Sequence, residues 1–467
     1  MGSVFSKKIT AIEAADEVAR QQAKKHYNRH EKLMPNEQVL LQQGPSPIGT
    51  LTWIRGDLEK TSLVVQQRLR ALCFKNPWLT GRIFTKRGAN RQLEGYLAYP
   101  ESLSSDENDN EQDYIEKLMI DPLFVKHTTS IDKSFHHEEE DFTEMARVLT
   151  EKSVLLKPKS DAEQPLIRVS IIPSNSDNLS GGGGNKEGIV FGVVVNMSHV
   201  AADGHTYYRI FNALMNETDL NNMPSIKVKR IDASESVKEV AMGGKQNIVF
   251  MKPGMIVSLL RGLIYDFFLW PFRKTNLQIE KRIVYVDPTK MEALKNDAIT
   301  DDVPFVSTND IIANWFLSNS AAHYGFMSFN LRNRLHGHEN DNAGNYTELL
   351  YYRVPEDTSC PTLIRRSLYG LTRVVTANRK PTFYELATGN SSFITNWASF
   401  ASGNIDIPGQ ALLKHFPMVD LAANVMPSTM AFCVIFQATA NRLGVLYAGS
   451  TGRIKALERP PFAKMLD

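Results

Sequence analysis

The chain has 467 residues, 42% of them hydrophobic and 22% charged, the balance of a globular protein long enough for two cores. Its 53 Lys and Arg are offset by 51 Asp and Glu, which argues against a nucleic-acid binder that works by neutralising phosphates. Three widely spaced cysteines, Cys73, Cys360 and Cys433, argue against a disulfide framework or a cysteine-built zinc site and favour a reducing, cytoplasmic compartment.

The first residues contain no apolar run able to serve as a secretory signal. Gly2, with Ser6 four positions on and then Lys7 and Lys8, fits an N-myristoylation pattern; a plain terminus is the other reading. One myristoyl chain binds membranes only marginally (~10⁴ M⁻¹), so attachment to the cytosolic face of a membrane would need a second contact. Residues 9–33 read as a polar helix. After the turn at Gly44-Pro45-Ser46-Pro47, Leu51–Ile54 reads as a strand, and residues 57–75 as a helix that must stop before Pro77. Residues 101–113, 134–141 and 174–187 are polar, acidic or Gly-rich and read as loops.

The third of these loops joins two short apolar runs, Leu166–Ile172 and Ile189–Val195, which predict a hairpin of buried strands. A helix is expected over 204–217, and residues 222–250 read as a linker. The stretch 255–270 is apolar but interrupted by Arg261 and Asp266, too short and too polar to span a bilayer. It is either a helix buried on the protein's own core or an interfacial helix with its apolar face in a membrane. Ser307, with Asp310 three positions on, predicts a capped helix start running into 311–322. Met430–Phe436 and Gly444–Ala448 predict a second hairpin.

Chemistry concentrates at His199-Val200-Ala201-Ala202-Asp203-Gly204, between a strand and a helix. A histidine at a strand end is held rigidly, and its pKa of ~6.5 lets it take a proton from an alcohol or amine and return it later. Asp203 either orients that ring or turns away to pair with a buried cation. Gly204 would tolerate a backbone conformation closed to other residues.

Several segments, in order, resemble the CoA-dependent acyltransferase superfamily, which includes chloramphenicol acetyltransferase, the plant BAHD acyltransferases, the wax-ester synthase type and peptide-synthetase condensation domains. They are Phe74 through Arg82 (a P-x-L-x-G-R element), Pro165–Val169, the His199–Gly204 motif, Ser307–Asp310, Phe329 through Leu335 with Gly344-Asn345, and Thr395-Asn396-Trp397. The BAHD pattern ends in Asp-Phe-Gly-Trp-Gly, whereas Ile405-Asp406-Ile407-Pro408-Gly409 stands here. The wax-ester type has a second His where Ser198 stands.

The resemblance implies an α+β or α/β fold of two pseudo-duplicated lobes, each a mixed sheet flanked by helices, with a tunnel between them. The corresponding division is an N-terminal segment (1–33), a first lobe (34–220), a crossover (221–300) and a second lobe (301–467). It implies that His199 is the general base that delivers an acceptor hydroxyl, or less readily an amine, to the thioester of an acyl-CoA. Thr395 and Asn396 are the candidate oxyanion donors, and Arg332 the candidate partner of a structural Asp203. Acyl-CoA is a cosubstrate, with no resident cofactor and no metal; His336-Gly337-His338 reads as a solvated turn. The expected partners are acyl-CoA and a small-molecule or lipid acceptor, met by a monomer with Gly2 and 255–270 as candidate membrane contacts. Two other readings stay open: a catalytically silent binding protein on the same fold, and a condensation-type enzyme fed by a carrier protein.

Overall fold

A computed structural model describes residues 27–43, 47–87, 93–103, 113, 115–136, 142–156, 164–175, 188–230, 239, 257, 279–379, 382–418 and 428–458. Gly2, the 9–26 part of the expected polar helix, most of loops 101–113 and 174–187, and the apolar stretch 255–270 apart from Val257 lie outside them. No helix among the described residues is long and apolar enough to cross a membrane.

The first lobe is built on a five-stranded sheet. Strands β2 (Ile48–Gly56), β6 (Ile167–Pro173) and β7 (Ile189–Met197) are nearly continuous apolar or small-residue runs, buried on both faces, as a central position requires. The order is β12-β2-β7-β6-β5, with β5 at Phe124–Lys126 and β12 at Ala411–Pro417. Strand β12 comes from the second half of the chain and closes the edge beside β2. Residues 29–32, expected to be helical, form β1 (Arg29–Lys32) instead and pair with β4 (Leu93–Tyr99), which also pairs with β3 (Arg82–Arg87). The helix α1 (Pro35–Gln43) follows β1.

Helix α2 (Leu58–Lys75) starts where the Asp57 carboxylate accepts from the Lys60 N–H, and it ends at Asn76, ahead of Pro77. The Asn76 side chain donates to Pro224 O and accepts from Ile226 N, while Trp78 Nε1 donates to Ile226 O. The P-x-L-x-G-R element thus receives the chain that leaves helix α4 (Gly204–Asn216). Helix α3 (Phe142–Glu151) lies between β5 and β6 in sequence.

The second lobe has a six-stranded sheet in the order β10-β9-β11-β13-β14-β8. Its strands are β8 (Ile279–Tyr285), β9 (Tyr324–Asn330), β10 (Thr347–Arg353), β11 (Ser391–Asn396), β13 (Met430–Thr439) and β14 (Arg442–Ser450). Helices α5 (Pro288–Ala298), α6 (Thr308–Asn319), α7 (Pro361–Gly370), α8 (Phe383–Thr388) and α9 (Thr451–Leu457) belong to this half. Helix α6 opens with the expected capping box, each of Ser307 and Asp310 bonding the other's backbone N–H.

The two lobes repeat one plan. In the first, β2 pairs antiparallel with β7, β7 with β6, and β6 runs parallel to β5. In the second, β8 pairs antiparallel with β14, β14 with β13, and β13 runs parallel to β11. The terminal register pairs are Ile48↔Met197 and Ile279↔Ser450. Gly452 therefore stands in the second lobe where His199 stands in the first, so the duplication leaves one histidine site.

Candidate active site

Strand β7 delivers the chain to His199 through a turn fixed by backbone bonds: Ser198 N donates to Leu166 O, and Ala201 N to Ser198 O. His199 is half-buried, and its Nδ1 lies 3.1 Å from Ala202 O. A carbonyl oxygen only accepts, so the neutral ring carries its proton on Nδ1 and leaves Nε2 as a bare lone pair. Asn345 steadies the same turn from the other lobe, its Nδ2 donating to His199 O (2.8 Å) and Val200 O (3.1 Å).

Asp203 turns away from the imidazole. It caps α4 by accepting from Thr206 N at 2.9 Å, and it pairs with the buried Arg332 guanidinium at 2.6 and 3.2 Å. Tyr346 N and Thr347 Oγ1 also donate to it, at 3.0 and 3.1 Å. Burial alone would raise the Asp203 pKa; the Arg332 charge and hydrogen bond, with the Thr206 N–H, hold it below the ordinary carboxylate value. The remaining N–H groups of Arg332 are taken by Asn342 O, Asn330 Oδ1, Thr206 Oγ1 and Gly344 O. The Asp203–Arg332 pair is thus a saturated clamp that joins the end of the histidine turn to the second lobe.

Gly204 does not use the backbone freedom open to it. Its φ is not left-handed; it is the first residue of α4, and an added Cβ would sit 3.2 Å from Trp397 Nε1. Close approach of the indole, not backbone freedom, is what its missing side chain permits. Of the Gly344-Asn345 pair, it is Gly344 that has the unusual backbone, at φ +136°.

His199, Asp203, Gly204, Thr395 and Asn396 line one cavity of about 290 Å³ between the lobes. Strand β11 places Thr395 there, and Ser328 Oγ on β9 donates to Thr395 Oγ1 at 2.7 Å. Having accepted from Ser328, the Thr395 hydroxyl retains its own proton as a donor. Asn396 is engaged at both ends, Nδ2 donating to Asn309 Oδ1 and Oδ1 accepting from Ala398 N. Arg332 stands behind Asp203 and outside the lining. Asp406 and Gly409 lie apart from the cavity; the backbone of Asp406 bonds Met215 O and the Arg68 guanidinium.

The turn expected to be solvated at 336–338 is only half so. His336 is exposed, but His338 is buried, edge-on to Tyr346 at 5.2 Å, because the loop folds back toward the Arg332 clamp.

Sequence reasoning missed His205, which also lines the cavity. Its Nε2–H donates to Asn340 O, its Nδ1 faces Asn330 Nδ2 at 3.4 Å, and its ring meets the edge of Phe400. Burial first, then the Arg332 charge, lowers its pKa, so it is neutral at physiological pH. Ser328, Phe393 and Phe432 were missed as well. The available signal was the two-residue alternation of Phe393 and Thr395, which puts both on one face of a strand.

No family model and no curated protein matches the chain. Solved structures do. TRI101 of F. graminearum, complexed with coenzyme A and deoxynivalenol, superposes with a TM-score of 0.56 at 11% identity, over 94% of this chain and 99% of its own. Vinorine synthase gives 0.53 at 13% identity over 94% of each chain. The first condensation domain of the CDA synthetase gives 0.53 at 14% identity over 91% of each. The fold is that of the CoA-dependent acyltransferases. Within this acyltransferase fold, a chloramphenicol acetyltransferase-like pair of lobes, the cavity lies where the histidine turn of the first lobe faces β9, β11 and β13 of the second.

Proposed function

We propose that the protein is an acyltransferase that moves an acyl group from a CoA thioester to a hydroxyl acceptor, with His199 as general base. The observation that carries this reading is the Nδ1–Ala202 bond, which in the neutral ring assigns the lone pair to Nε2, on a histidine that lines the same cavity as Thr395. Nε2 takes the acceptor's proton as its oxygen bonds to the thioester carbonyl carbon. Thr395 Oγ1 donates to the oxygen that gains charge. The intermediate then collapses, the C–S bond breaks, and the proton held on Nε2 passes to the departing CoA sulfur. Asp203 and Arg332 take no part in proton transfer; they fix the turn. Coenzyme A bound to TRI101 supports CoA as the donor here.

The test is free-thiol release from acyl-CoA in the presence of pooled alcohols, amines and lipid acceptors. His199→Ala is expected to lower acceptor-dependent release about 10²–10⁴-fold. Equal release by both proteins would remove His199 as the base and favour a binding protein on the same fold. Transfer from an acylated carrier protein with none from acyl-CoA would place the chain with the condensation-type enzymes.

A further inference from the structure

The side of the cavity formed by the second lobe is a sheet face with two rows of different chemistry. Strand β11 pairs in parallel with both β9 and β13, with Ile394 opposite Met327, Thr395 opposite Val434 and Phe393 opposite Phe432. Ser328 and Thr395 form a hydroxyl row, bonded at 2.7 Å. Two residues back along β11, Phe393 and Phe432 lie with ring planes 4° apart and centroids 5.3 Å apart. Both rings are half-buried and line the cavity. At about 3.3 Å per residue, the rings stand roughly 6–7 Å from the hydroxyl row.

The charge of the wall is equally selective. Among the described residues, Asp203 is the one carboxylate that lines the cavity, and no Lys or Arg lines it. Asp203 is satisfied by the clamp, and Arg332, the cation nearest to it, has its N–H groups bonded within the protein. A charged group brought into this cavity would lose water and, the two histidines apart, meet no free counter-charge among the described lining residues, whereas an apolar one would cover the aromatic pair.

We infer that the cavity selects a substrate that carries, beside its reacting group, an uncharged apolar group that rests on the Phe393–Phe432 pair. The reacting group rests on the acyltransferase reading of His199, whereas the apolar seat stands on the sheet register, the stacked rings and the cavity lining. The shared chemistry is an alkyl or aryl group able to reach the roughly 6–7 Å from the hydroxyl row to the rings. It belongs either to the acyl chain or to the acceptor alcohol.

Two measurements on the full chain test it. The first is kcat/KM for acetyl-, hexanoyl-, cinnamoyl-, malonyl- and succinyl-CoA with one alcohol, then for a series of neutral and carboxylate-bearing alcohols with one acyl-CoA. Neutral apolar members are expected to exceed anionic ones by on the order of a hundredfold in one series. Phe393→Ala should cut the preference for cinnamoyl over acetyl, or its counterpart among the alcohols, about tenfold. Phe393→Leu, checked by thermal melting to be folded, should keep the preference for hexanoyl. The series that responds identifies which substrate owns the apolar group. Transfer that uses malonyl-CoA as well as hexanoyl-CoA, with both series indifferent to Phe393→Ala and Phe432→Ala, would overturn the inference and leave the reaction standing. The second measurement is calorimetric binding of cinnamyl alcohol and of cinnamate, which needs no turnover. Binding of the alcohol, weakened by Phe393→Ala, with no binding of cinnamate, would support the inference even if the wild type transferred nothing. Absence of both transfer and binding would overturn it.

Discussion

At the scale of single residues, the division of labour between Thr395 and Ser328 has measurable consequences. The Thr395 hydroxyl accepts from Ser328, so its own proton is the one it has to give, in the proposed reaction to the thioester oxygen. Thr395→Val keeps the shape of the side chain and removes the donor. It should lower kcat by about 10²–10³-fold, the usual cost of one oxyanion donor, with KM little changed. Ser328→Ala leaves the Thr395 hydroxyl in place but free to rotate, so its loss in kcat should be smaller than that of Thr395→Val. Steady-state kinetics of the two variants and their double mutant check the order. If the two single losses simply multiplied in the double mutant, the residues would act independently and the relay would be wrong.

At the scale of elements, glycines mark where backbones approach. Gly81 has an ordinary extended backbone at φ −66°, ψ 178°. A Cβ there would meet Ala98 O at 2.7 Å and Trp78 O at 2.8 Å, both backbone atoms that cannot swing away. Gly81→Ala should therefore destabilise the protein by about 1–3 kcal/mol, read as a lower denaturant midpoint at unchanged m-value. The sequence makes this glycine legible as part of the P-x-L-x-G-R element, though not the reason for it. The same holds more widely. The Val-rich hairpin 166–197, the stop before Pro77 and the Ser307 capping box follow from local chemistry, and the structure has them. What local chemistry could not supply is pairing between distant segments. Residues 29–32 have helix-compatible side chains but complete a sheet with β4, and His338 is polar in sequence yet is buried by a loop that folds back. His205, Ser328 and Phe432 come from three separated segments, so their meeting in one cavity depends on tertiary register.

At the scale of the whole molecule, strand β12 ties the second half to the first lobe, and a titratable group sits at that tie. His415 on β12 is buried beside β2. Its Nδ1 lies 2.9 Å from Thr52 Oγ1, its Nε2 lies 3.1 Å from Tyr208 OH, and the Phe211 ring packs 4.8 Å away. None of these neighbours carries a charge, and burial pushes its pKa down to about 3. The unfolded chain, with a histidine pKa of ~6.5, binds a proton more readily than the folded one. Stability from His415 is therefore present in full above pH ~6.5 and declines as pH falls, with a limiting slope of about 1.4 kcal/mol per pH unit down to the folded value. His415→Phe removes that proton linkage at some cost in hydrogen bonds. The expected outcome is a variant less stable than wild type at neutral pH but with a flatter loss between pH ~6.5 and ~4 in denaturant titrations. Parallel curves for the two proteins would mean that β12 is released by another group. A flattened curve would place the acid lability of the fold in this crossing strand, remote from His199.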